Sequence, residues 1–179
     1  MKNGINSFVS EEALSLHKDY LKSLKLRYSV MEKSFPEIKN AHAKQLQRMR
    51  HRYKDEILDL RCDIFCHELF FDSFGDAYQR CVAARAGYRT ESSFIYEIFE
   101  ASKISDASYL VISTDRGTVN IKPLGKAREI LKISYPALCI DLCEHSYFLD
   151  YGFDKERYIS NLLPYLNLST LDKFLADKD

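Results

Sequence analysis

The stretch that most constrains this chain is SYPALCIDLCEHSYFLDYG, near its C-terminus. There an apolar run, Ala137, Leu138, Cys139 and Ile140, reads as a buried strand that delivers Asp141, Glu144 and His145 in quick succession. An ionisable group carried out of such a run has to be paired, hydrogen-bonded or metal-bound, because burying a bare charge costs roughly several kcal/mol or more. An acid and a His four residues apart form half of a metal site, or a core His held by a local carboxylate. The same spacing recurs at Asp63 and His67, so spacing alone leaves both readings open.

Composition narrows the setting. The chain has 179 residues, 46% hydrophobic and 29% charged, with 26 basic residues balanced by 26 acidic ones. It therefore reads as a globular protein without a nucleic-acid or membrane surface by net charge. MKNGINSFVS has no apolar core long enough for a secretory signal, and no run approaches the roughly 18 apolar residues of a membrane span. A cytoplasmic location is expected. The five Cys are odd in number and sit among apolar residues, which fits reduced, buried thiols better than a disulfide framework. Cys62 with Cys66 and Cys139 with Cys143 could form a four-Cys zinc site only if the two pairs converged, and their spacing is wider than the usual C-x2-C.

Ser10 is a helix N-cap candidate, followed by Glu11 and Glu12 where the helix dipole favours acids. Leu14, His17, Leu21, Leu24 and Tyr28 then recur at helical spacing, which predicts a long helix over residues 11–33. Pro36 breaks it, and a second long helix is expected to follow. Its first part is polar, and its second part is apolar from Ile57 through Phe70. The basic cluster Lys44, Arg48, Arg50, His51, Arg52 and Lys54 is followed directly by acids and has no interleaved aromatic platform, so it reads as a solvated face. Two antiparallel helices joined at Pro36 can bring His17 and His67 to one level.

Gly87 and the cap candidate Thr90 mark a boundary. It divides an N-terminal helical hairpin (residues 1–86) from a C-terminal α/β domain (residues 87–179). Beyond it the pattern predicts a helix over 91–103, then a β-hairpin around Asp115-Arg116-Gly117 and a third strand at PALCI. Two closing helices are expected at 155–167 and 170–176.

IDLCEHSYFLDYG resembles the D-x-W-E-H-x-Y-Y-x-D-Y signature of the iron/manganese superoxide dismutases, with Cys143 and Phe148 departing from it. SEEALSLH and CHELFF resemble the two segments of that family's helical hairpin that each supply a ligand His. The resemblance implies an α+β fold: a long α-hairpin followed by an α/β lobe with a three-stranded antiparallel sheet. It also implies one Fe or Mn per chain held by His17, His67, Asp141 and His145, and dismutation of superoxide to oxygen and hydrogen peroxide. Three imidazoles with one carboxylate are compatible with either metal.

Other positions depart from the family. Where the iron enzymes place a Gln four residues before the second His, this chain has Asp63; where the manganese enzymes place theirs, it has Ala127. Asp63 is then a hydrogen-bond acceptor for bound water, a metal ligand, or an ion-pair partner of Arg61. The family's gateway Tyr aligns with Lys25 and a second His with Leu21, while Phe71, Cys143 and Tyr109 stand where Trp walls are expected. Asp63 and Lys25 are thus the candidate catalytic groups beside the ligands. Glu144 is retained, which implies a homodimer in which it reaches the partner's ligand His. Two alternatives stand beside this reading. One is a non-dismutase on the same fold, either a metal-binding redox protein or an interaction subunit. The other is a helical di-iron carboxylate protein using Asp63, Glu68, Glu144 and the His residues.

Overall fold

A computed structural model describes residues 4–48, 53–75 and 90–176. The architecture is α+β, as the resemblance implied: a helical N-terminal part followed by helices around a three-stranded antiparallel sheet. The proposed boundary at Gly87, Cys81 and the basic residues Arg50, His51 and Arg52 lie outside the described residues.

Helix α1 (Glu11–Ser34) begins where its cap chemistry dictates. The Ser10 hydroxyl accepts from the Ala13 N–H at 3.1 Å, and Glu11 and Glu12 occupy the first turn. Ala13, Leu14, His17, Leu21 and Leu24 are its buried residues, at helical spacing, and this stripe packs on α3 (Lys54–Asp72). The second arm is not one long helix. Pro36 opens a 3-10 turn (Pro36–Ile38), and a short α2 (Ala43–Arg48) precedes α3. The break follows from packing. Ile38 and Leu46 are both almost fully buried, so the chain must turn between them, and the His42 N–H is met by Gln45 Oε1 at 2.7 Å, starting a new helix. Arg61 spends its guanidinium on the Ala41 carbonyl at this turn.

Helix α4 (Glu91–Ser102) starts with a reciprocal cap between Thr90 and Ser93, and buries Phe94 and Ile98. Each such side chain, fully removed from water, contributes about 1.5–3 kcal/mol. Strands β1 (Tyr109–Asp115) and β2 (Thr118–Leu124) are joined by Arg116-Gly117, both at positive φ (49° and 81°). That pair matches the twist a two-residue hairpin requires. Strand β3 (Pro136–Asp141) pairs on the other side of β1, giving the order β2-β1-β3. A 3-10 segment, Ala127–Lys132, leads into β3 and carries Arg128, which clamps α3 through Asp59 (2.6 Å) and Asp55 (3.0 Å).

The first closing helix is shorter than its pattern suggested, while the second lies where it was expected. A short α5 (Phe148–Tyr151) follows β3, and α6 (Lys155–Leu162) stops ahead of Pro164, which sits in a 3-10 turn. Helix α7 (Ser169–Ala176) completes the described chain.

Ser73, at the end of α3, couples the helices to the sheet. Its buried hydroxyl accepts the Cys139 N–H at 2.8 Å and donates to the Leu69 carbonyl at 2.6 Å, so it satisfies a backbone donor that β1 does not reach. Ser73→Ala leaves that N–H buried and unpaired. The expected loss is about 1–3 kcal/mol of unfolding free energy, read by urea denaturation. An unchanged midpoint would mean the bond contributes nothing.

Candidate metal centre

Two helices and a strand end converge on one point. His17 comes from the buried stripe of α1, and His67 from α3 among Cys62, Cys66 and Phe70; their ring centroids lie 5.3 Å apart, edge to face. Asp141 ends β3 opposite Tyr109 of β1, so both side chains stand on the same face of the sheet. Its side chain is fully buried. Four residues on, a single 3-10 turn (Glu144–Ser146) swings His145 back over that carboxylate.

Local hydrogen bonds aim the carboxylate. Asp141 Oδ1 accepts the Cys143 N–H at 2.8 Å, while its backbone carbonyl accepts from Ser146 Oγ at 3.1 Å and Tyr158 Oη at 3.2 Å. This leaves Oδ2 facing three imidazoles: His145 Nε2 at 3.0 Å, His17 Nε2 at 3.2 Å and His67 Nε2 at 3.4 Å. The Nε2 atoms of His67 and His145 are themselves 3.1 Å apart. His67 is oriented by a 2.8 Å contact between Nδ1 and the Asp63 carbonyl; with Nδ1 donating there, Nε2 is left as a lone pair.

This arrangement asks for a cation. One donor atom from each of the four residues lies within 4.8 Å of the others. The His17 Nε2, although within ion-pair range of Asp141, lacks hydrogen-bond geometry, and among the described residues it is the buried side-chain polar atom left without a partner. Unpaired buried nitrogens are costly, and lone pairs pointed at one another repel, so an ion accepting all four resolves both problems. Separations near 3 Å are those of donors about 2 Å from a shared ion. The charges agree with this. Burial pushes the Asp141 carboxyl up, but the His145 hydrogen bond and the nearby His17 outweigh burial and hold it well below the carboxylate range. Burial holds the His67 imidazole below its ordinary value, favouring the neutral form a ligand must have.

The surrounding residues fall in three groups. Phe70 and Phe71 each pack 4.9 Å from His17, and Tyr109 stands edge-on to His67 at 5.8 Å, so aromatic walls are present without Trp. Asp63 is half-buried and not bound to Arg61. Its Oδ1 accepts from Tyr109 Oη at 3.1 Å, and the same hydroxyl lies 3.3 Å from His67 Nδ1. Burial raises the Asp63 carboxyl, and the Tyr109 bond partly opposes this. Lys25 is half-exposed and pairs with Glu68 at 2.7 Å across the two helices. Glu144 is exposed.

Among the described residues one group of potential ligands converges, and it contains none of Asp63, Glu68, Glu144 or the Cys. The di-iron and four-Cys arrangements are therefore not formed. Cys66 and Cys139 do touch, and burial raises the Cys139 thiol well above its ordinary value, as befits inert core thiols. Sequence reasoning missed Tyr20. Its ring lies 4.4 Å from His145 and 5.3 Å from His67. The available signal was its position three residues after His17, on the same helix face.

Residues 89–174 match the family model of the iron/manganese superoxide dismutases, C-terminal domain. A comparison with curated proteins gave no match. The matched segment contains Asp141 and His145, whereas His17 and His67 lie outside it on α1 and α3. Over residues 89–174 the chain is therefore similar to the C-terminal domain of the iron/manganese superoxide dismutases.

Proposed function

We propose that the chain holds one Fe or Mn through His17, His67, Asp141 and His145 and dismutates superoxide to oxygen and hydrogen peroxide. The observation that carries the reading is the convergence of four donors from three distant segments on a point where a buried imidazole nitrogen has no partner. When bound, such a metal supplies one-electron chemistry, accepting an electron from one superoxide and returning it to a second.

The chain's own residues set the conditions for this. Asp141 contributes the one anionic donor, and three imidazoles complete the set. Phe70, Phe71 and Tyr109 keep water from the buried side, which strengthens charge effects at the centre. Asp63, held by Tyr109, adds a second negative charge nearby. That charge favours an oxidised metal and repels an incoming anion, which supports a second reading: a metal-binding redox protein with little dismutation. A homodimer through Glu144 fits the exposed apolar side chains Phe148, Leu149 and Phe153 that follow His145 in the chain, with the Phe148 and Phe153 rings 5.2 Å apart.

Elemental analysis of the purified protein with a superoxide assay on the same sample tests these readings. About one Fe or Mn per chain with turnover is expected. Full metal with negligible turnover selects the second reading, and a metal-free protein overturns both. No described helix is long and apolar enough to cross a membrane.

A further inference from the structure

The centre is closed on most sides. Phe70 and Phe71 cover His17, Tyr109 covers His67, and Asp141 is fixed from its backbone by Ser146 and Tyr158. His17, His67 and Asp141 expose 3% of their surface or less, whereas the His145 side chain keeps 30% accessible. Solvent therefore meets the centre beside His145. Tyr20 occupies that side. It stands one turn beyond His17 on α1, its ring tilted 31° over His145 at 4.4 Å and 45° against His67 at 5.3 Å, and it is 39% exposed.

We infer that Tyr20 is the gate of this centre, a specificity-determining residue whose ring admits small anions past His145 and holds back bulkier ones. The role rests on the metal-binding reading above. A ring that bridges two ligand imidazoles while facing solvent on its other side must be passed, or swung aside, by anything that reaches the converging Nε2 atoms. A partly exposed ring has room to swing about its side-chain bonds, unlike the buried Phe70. Lys25, two turns along the same helix from His17, is held by Glu68.

The test uses the metal-loaded full chain. Azide and benzoate binding are followed by visible absorption in wild type, Tyr20→Phe, Tyr20→Ala and Tyr20→Ser, with metal content measured for each. Removing the ring is expected to speed azide association about tenfold, as unblocking an entrance does, and to allow benzoate to bind. Tyr20→Phe keeps the ring and the wild-type rates. Wild-type azide rates and continued exclusion of benzoate in fully loaded Tyr20→Ala and Tyr20→Ser overturn the gate while leaving the metal reading intact. A wild type without metal overturns the metal reading and the gate with it. Because Tyr20 is partly exposed, truncation is compatible with folding, and two truncated variants guard against an accident of one.

Discussion

Asp141→Ala is expected to purify without metal. Asp141 is the anionic member of the donor set, and its Oδ2 stands 3.0–3.4 Å from all three imidazole nitrogens, so its removal strips the charge that offsets the cation. Losing a partner outside the donor set typically costs 10- to 100-fold in affinity, so losing a donor is expected to cost at least about a hundredfold. The truncation also orphans the Cys143 N–H that Oδ1 accepts, which costs about 1–3 kcal/mol of folding free energy. Asp141→Asn separates the two effects. It preserves an acceptor for Cys143 and the side-chain volume while removing the charge, so it should lose metal with a smaller fall in thermal midpoint. Elemental analysis and a thermal melt of both variants decide the matter; full occupancy in either would show that the ion, if bound, sits elsewhere.

The parts of this structure that could be read in the sequence are those fixed by local chemistry. Ser10 ahead of two acids specifies the start of α1, Thr90 that of α4, and Arg116-Gly117 the hairpin, because each depends on residues within a turn of one another. The four side chains that converge were named through motif resemblance, since a family motif carries its spacing with it. The interruption of the second helical arm was not. Residues 39–48 have helix-forming composition, and what breaks them is the demand to bury Ile38 and Leu46 against distant parts of the core. The partner of Asp63 was hidden for the same reason. Arg61 is its near neighbour in sequence, yet Arg61 is taken by the Ala41 carbonyl, and the hydroxyl that reaches Asp63 comes from Tyr109, 46 residues away. Alignment likewise directed attention to Lys25, while geometry places Tyr20 over the rings.

That hidden contact makes Asp63→Gln the more informative substitution. Gln keeps an oxygen that can accept from Tyr109 Oη, now 3.1 Å from Asp63 Oδ1, once its one extra methylene is taken up in the half-buried space between α3 and β1. What changes is the charge. At an effective dielectric of about 20, a unit negative charge just outside a donor set is worth on the order of 2–3 kcal/mol between oxidation states that differ by one charge. For a one-electron couple this corresponds to a potential on the order of 100 mV, so the Asp63→Gln midpoint should rise by about that much. Superoxide turnover should rise too, because the oxidised form becomes easier to reduce and the approaching anion is repelled less. The second effect has its own signature. Repulsion is screened by salt, so raising ionic strength should speed the wild type more than the variant. A midpoint unmoved by the substitution in the fully loaded protein would place the Asp63 charge outside the reach of the metal, and the second reading of the function would lose the observation that favours it. A shifted midpoint with unchanged turnover would instead show that approach to the site limits the rate, and Tyr20 would become the residue on which turnover depends.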